Sequence, residues 1–425
     1  MIFDRHARAA IATCVAIGTV AAATACANVL GFESFSPVRD EAGTSAEGGP
    51  DATGDAPIDS AAEASTCPDD RSANSQHCGK CGHDCGGGKC EDSQCLPLAL
   101  AEGLRSPQGL VVDDKDVFVA ELGANRIVRF GKSALNTCDV PAKCLFTASN
   151  VAVPTAMGID STNVYWANAS QSVSDIRFCP RAGCKAAPST IVDLGSASFS
   201  PDFDTDPYLP LYLVVKDGQV FWPEHVKGAI RSRAVDGTGP ITTYVEDASY
   251  GVVALAVDTD RIFFTDNRGG NNGIDVHAVR RQSPLTVSVV STAPAPTYGI
   301  VLASTGMLFY TVPFQSAVGD GVVEATSKTA DGGAPVGAFA TNQFEPGALV
   351  ADDANVYWVV AGDIKMATGS VAYCSLKNGC PAEGPNVLAG SQRLPRHITQ
   401  DTTAIYWTNE GLTGIDGQVW KIAKP

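Results

Sequence analysis

"NVYW", residues 355–358, is one copy of a phrase the chain repeats: "NVYWAN" at 163–168, "QVFWPE" at 219–224, "RIFFTDN" at 261–267 and "AIYWTNE" at 404–410. The first aromatic of the pair falls at Phe118, Tyr165, Phe221, Phe263, Phe309, Tyr357 and Tyr406, at intervals of 47, 56, 42, 46, 48 and 49 residues. Val, Ile or Leu precedes it each time, and a second aromatic follows except at Val119. Aromatic residues are only 7% of the chain, so doublets at this spacing are a structural repeat and not an accident of composition.

Around each doublet the unit is constant. An acid stands five residues before the first aromatic at Asp113, Asp160, Asp258, Asp352 and Asp401, preceded by a short apolar run such as "ALAV" or "GALVA". This order reads as strand, Asp-containing turn, aromatic strand and two further β-rich runs, with no sustained helical period. A four-stranded repeat of 42–56 residues is a propeller blade. Side chains alternate between the two faces of a strand, so paired aromatics fill the wedges on both sides of a blade. The Asp suits a turn cap. The fold class is all-β, a seven-bladed β-propeller over 96–425.

After Tyr406 only 19 residues remain, which supplies three strands and no fourth. The spare apolar run "CLPLALAEG" at 95–103 is the expected closing strand, since it removes two open sheet edges at once.

"NVYWAN", "RIFFTDN" and "AIYWTNE" resemble the YWTD repeats of lipoprotein-receptor propellers and, more loosely, NHL repeats. YWTD propellers usually have six blades and this chain carries seven motifs, which also points to seven-bladed lactonase-like and streptogramin-lyase-like proteins.

The N-terminus reads as an export signal over 1–25: Arg5 and Arg8, then the uncharged "AAIATCVAIGTVAAATA" ending in small residues. "ATAC" at 23–26 resembles a bacterial lipobox, which implies lipidation at Cys26 although Ala23 stands where Leu is usual. Residues 27–66 carry eight acids against Arg39 and little to bury, so 26–66 is expected to be a disordered acidic tether with a span of roughly 35 Å.

Of fourteen cysteines, Cys14 leaves with the signal and Cys26 takes the lipid. Twelve remain, an even set fitting disulfides in an oxidising compartment. Six (Cys67, Cys78, Cys81, Cys85, Cys90, Cys95) lie in 67–95, a stretch too short for its own hydrophobic core, whose connectivity the sequence leaves open. His77 and His83 beside Cys78 and Cys81 give zinc-like spacing, but export favours disulfides. "CGKCGHDC" resembles short Cys-rich modules that precede propellers in myxobacterial surface proteins. Cys138–Cys144, Cys179–Cys184 and Cys374–Cys380 are expected as local staples of outer hairpins, each worth roughly 2 kcal/mol.

The formal charge of −16 excludes the basic footprint of a nucleic-acid binder. No phosphate loop, G-x-S-x-G or H-E-x-x-H is present, and no catalytic residue or cofactor is assigned. Glu224 and His225 are adjacent, which on a strand points them to opposite faces; His397 lies on an innermost strand. The expected function is non-catalytic binding of a protein, glycan or small ligand by an exported monomer in the periplasm, outer membrane or at the cell surface, held to membrane only through its lipid. The alternative is a lactonase- or lyase-type enzyme with a divalent ion at the channel mouth. A ligand face is expected near blades 2 to 5, where loops 195–210, 266–275 and 312–321 emerge together. Asp202, Asp204, Asp206, Asp266 and Asp275 are the candidate Ca2+ ligands there, although Pro207 stands where an EF-hand turn needs Gly.

Overall fold

The computed structural model describes residues 70–133, 135–137, 144–147, 153–169, 174–184, 187–195, 212–268, 274–293, 295–315, 319–332, 337–363 and 365–425. The chain divides into Met1–Ala64 and Ser65–Pro425, and every described residue belongs to the second unit. Cys26, Cys67, Cys138 and Asp202, Asp204 and Asp206 lie outside the described residues, as do the signal and the whole of the tether.

Seven antiparallel sheets follow one another along the chain. Their second strands carry the aromatic motif: Asp116–Glu121, Asn163–Ala169, Gln219–Glu224, Arg261–Asp266, Met307–Val312, Asn355–Val360 and Ala404–Asn409. The first strand of each blade lies against the first strands of both neighbours, and the first strand of blade 7, Pro395–Gln400, meets that of blade 1, Pro107–Val112. The ring is closed.

Closure uses the N-terminal run. Leu98–Leu104 pairs antiparallel with Gly417–Ala423 as the fourth strand of blade 7, and two residues, Asn136–Thr137, cover its outer edge in parallel. Leu100, Ala101 and Leu104 are fully buried there.

Seven hydrophobic clusters fill the seven seams between blades. The first aromatic of each motif points to one neighbour and the second to the other. Tyr165 packs with Trp222 between blades 2 and 3, Phe221 with Phe264 between blades 3 and 4, and Phe309 with Trp358 between blades 5 and 6. Trp166, Trp222, Trp358 and Trp407 are completely buried. Their flat bulk is what spaces neighbouring sheets.

The acid before each motif has two tasks. In Asp401, Oδ1 accepts the backbone N–H groups of Thr403 and Ala404 at 2.9 and 2.8 Å, and Oδ2 accepts the Tyr406 hydroxyl at 2.7 Å. Asp113, Asp160, Asp258 and Asp352 cap their turns in the same way. The second task links blades. The residue just past the third strand reaches back to the turn of the preceding blade: Arg181 to Asp113 (2.6 Å), Arg281 to Asp217 (2.6 Å), Lys328 to Asp258 (3.0 Å), Lys424 to Asp352 (3.1 Å) and Lys132 to Asp401 (2.6 Å). Five of the seven seams thus carry an ion pair on one face of the disc. The Lys132–Asp401 pair spans the junction between first and last blades.

Burial works against the Asp401 carboxylate, but Lys132, Tyr406 and the turn N–H groups outweigh it and hold the group well below the usual range. A depressed carboxyl stabilises the fold above its unfolded value, about 3.9, and that contribution is lost as pH falls further. Asp401→Asn is expected to cost about 1.5–3 kcal/mol at pH 7 in urea unfolding, with the gap to the unmodified protein narrowing well below pH 4. A variant as stable as the parent at pH 7 would remove the pair from the account of closure.

Every cysteine among the described residues is disulfide-bonded. Cys78–Cys90 and Cys85–Cys95 staple the N-terminal module, and Cys179–Cys184 and Cys374–Cys380 close short loops beyond third strands, with Cα separations of 5.6, 5.2, 5.3 and 4.8 Å. Cys81 and Cys144 are also disulfide-bonded. The sulfurs of Cys78, Cys85 and Cys95 converge within 4.8 Å, but as disulfides they offer no thiolate for zinc.

Candidate binding face at the channel mouth

Loops between second and third strands, and the connections between blades, emerge on the face opposite the ion pairs. At the channel mouth a cavity of about 50 Å³ is lined by Tyr298, Phe314, Pro346, Ala348, Pro395 and Arg396, among others. A single water needs about 10–15 Å³ on this measure, so the cavity takes one side chain or a small ligand group. The prolines begin the innermost strands of blades 6 and 7, where a missing N–H costs nothing to the ladder.

The same face exposes four large apolar side chains, of which Phe314 lines the cavity. Phe314 is 41% exposed, Met366 54%, Leu412 38% and Ile415 64%. They stand on the loops after the second strands of blades 5, 6 and 7. These are four of the eight large hydrophobics exposed among the described residues, drawn from three successive blades. Scattered exposed apolar residues are ordinary; a group around a pocket marks a contact surface.

Charged groups on the rim are paired. Arg396 Nε donates to Glu410 at 2.6 Å, and Arg393 meets Asp416 at 3.3 Å. Asp416 also accepts the Thr413 N–H and hydroxyl at 2.8 and 2.7 Å, shaping the loop that displays Leu412 and Ile415. Gly411 has φ +88, and a Cβ there would lie 2.4 Å from the Asp416 carboxylate, so the loop requires glycine.

Asp266 and Asp275 sit at blade 4 on this face but are buried, 1% and 3% exposed, and do not furnish an open acidic surface. Asp266 Oδ1 accepts the N–H groups of Gly251 and Arg268 at 2.6 and 3.0 Å. Its Oδ2 lies 4.0 Å from His277 Nε2, and the His277 ring stacks on Phe264 with centroids 5.0 Å apart. Burial pushes the His277 ring toward its neutral form against the pull of Asp266; burial likewise raises the Asp275 carboxyl, which Asp266 reinforces against an N–H bond from Ala293. Among the described residues no set of three ligating atoms other than the disulfide sulfurs gathers within 4.8 Å.

Glu224 and His225 diverge. The Glu224 carboxylate is buried and held by Lys227 and Arg231, each at 2.8 Å, while His225 Nδ1 lies 3.3 Å from the Val252 carbonyl oxygen. His397 is kept neutral by burial, which lowers it to about 4.

Loop length pointed to blades 2 to 5; among the described residues of those three loops, Pro313 and Phe314 of 312–321 border the cavity. The rest of the pocket comes from short connections, 345–348 and 395–396, which length alone does not flag. Their signal in the sequence is "EPG" and "LPR", a proline opening an innermost strand in each of two consecutive repeats.

No family model matches the sequence, and no curated protein matches it. Among solved structures, virginiamycin B lyase from Staphylococcus aureus is similar with TM-score 0.53 and 16% identity, over 78% of this chain and 99% of that one. A streptogramin B lyase follows at 0.52 and 13%, over 77% and 97%; the WD40 propeller domain of Doa1 reaches 0.53 at 10%, over 76% and 96%. At these identities the likeness establishes the seven-bladed propeller fold alone.

Proposed function

We propose that this is an exported, lipid-anchored binding protein that captures a partner on the channel-mouth face of blades 5 to 7. In this reading Cys26 carries the lipid, residues 26–66 tether the folded unit, and residues 67–95 form the disulfide module ahead of a propeller at 96–425. The observation that carries it is the exposure of Phe314, Met366, Leu412 and Ile415 on one face of three successive blades, with Phe314 lining an apolar cavity there. Interfaces of this kind join a small apolar centre to a polar rim, and most binding energy comes from a few anchors at the centre. The partner is a protein, glycan or small ligand with one apolar group that enters the cavity.

The immobilised full chain should retain a partner from a native extract, and Phe314→Ala combined with Met366→Ala should reduce retention at least tenfold without altering the unfolding midpoint. Retention unchanged by the double variant would remove this face. The rival, a lyase- or lactonase-type enzyme using a divalent ion, draws on the buried Asp266–His277 pair. A calcium titration that raises the unfolding temperature and is abolished by Asp266→Asn would favour it.

A further inference from the structure

The N-terminal module touches the propeller at its closing blade, through a histidine that lies between two carbonyl oxygens. His83 Nδ1 lies 2.8 Å from the Cys78 carbonyl oxygen, inside the module. His83 Nε2 lies 2.8 Å from the carbonyl oxygen of Lys424, the residue just past Gly417–Ala423, the third strand of blade 7. Carbonyl oxygens only accept. A neutral imidazole has one N–H and can satisfy one of these contacts; the imidazolium satisfies both. We infer that His83 is a proton-dependent clasp, docking the disulfide module onto the closing blade in its doubly protonated form and releasing one of the two bonds when it loses a proton.

The neighbouring contacts give the clasp its place. Lys421, buried on the third strand of blade 7, donates from Nζ to the Gly86 carbonyl at 2.9 Å. Cys85–Cys95 ties the module to the polypeptide only a few residues before Leu98–Leu104. The module therefore grips both strands that seal the ring. The charged groups around this contact are Asp84 on the module, which with Lys132 and Asp401 acts on Lys421, and on the propeller Lys421, Lys424 with Asp352, and Lys132 with Asp401. Four of the propeller's five are already in ion pairs. His77, six residues away, is the natural contrast: its Nδ1 accepts the Gly82 N–H at 3.1 Å, so that nitrogen carries no proton.

Acid favours the doubly protonated ring that both carbonyl oxygens need, so the clasp tightens as pH falls and loosens as pH rises. A charge-assisted bond is worth enough that its loss should be read as about a tenfold change in local opening. The sign is opposite to that of buried His277, whose seam weakens in acid, so the readout must be local.

The experiment follows imidazole ¹⁵N resonances of the full chain between pH 5.5 and 8, together with amide hydrogen exchange of residues 70–104 corrected for intrinsic rates. The expected result is a doubly protonated His83 at pH 5.5 and about tenfold weaker protection of 70–104 at pH 8. His83→Gln, which has a single donor nitrogen, should abolish that pH dependence, and His77→Gln should keep it. A neutral single tautomer of His83 at pH 5.5 would overturn the inference, as would pH-independent protection or a His83→Gln protein that keeps the dependence. The resonance measurement uses the unmodified protein and so stands even where a variant folds poorly.

Discussion

Deleting Leu98–Leu104 is expected to abolish cooperative unfolding of the propeller or to lower its stability by about 6 kcal/mol or more. The strand inserts two leucines into the seam between blades 7 and 1 with no exposed surface, and burial of that kind is worth about 3–5 kcal/mol per leucine removed. It also satisfies the outer edge of Gly417–Ala423, which deletion would leave open. The loss is comparable with the whole stability of an ordinary domain, about 5–15 kcal/mol. A milder version, Leu100→Asp, places an unpaired charge in the same seam. Urea unfolding followed by tryptophan fluorescence reads both; a deletion within about 1 kcal/mol of the intact chain would mean that closure does not depend on this strand.

Trp358→Ala should be the most damaging single truncation in the repeat, at about 3–5 kcal/mol. Trp358 is fully buried between blades 5 and 6, touches the Phe339 ring at 6.4 Å between centroids, and donates its indole N–H to Gln343 at 3.2 Å. Removing it leaves a cavity and an orphaned amide together. Trp358→Phe keeps most of the bulk and should recover more than half of the loss. Equal losses for Ala and Phe would shift the weight from packing to the Gln343 bond.

The seams were legible because their chemistry is local: a doublet on one strand declares both faces of a blade, and its period counts the blades. Closure was legible as a deficit, since the chain after Tyr406 is one strand short and 95–103 has no other partner. The ion pairs on the turn face were not. Lys132, Arg181, Arg281, Lys328 and Lys424 each sit one residue past the third strand, 14 to 19 residues after the first aromatic of their repeat, so loop length blurs a position that the fold keeps constant. The acids were read as turn caps, which they are, but a carboxylate has two oxygens and the second finds the neighbouring blade. The pocket was missed for the opposite reason. It is built by short connections and apolar loop tips, whereas long polar loops attracted the reading toward blades 2 to 5. Asp266 and Asp275, read as ligands on an acidic face, are buried at the strand ends of blade 4, where Asp266 is taken up by the backbone N–H groups of Gly251 and Arg268.

The central claim is that partners are met at the mouth of blades 5 to 7. Hydrogen exchange of the full chain with and without a captured partner tests it most directly. Slowed exchange confined to 313–320, 361–368 and 410–416, with the neighbouring 345–348 and 395–396, is the predicted footprint. A footprint on 195–210 and 266–275 that leaves those segments unchanged would contradict it.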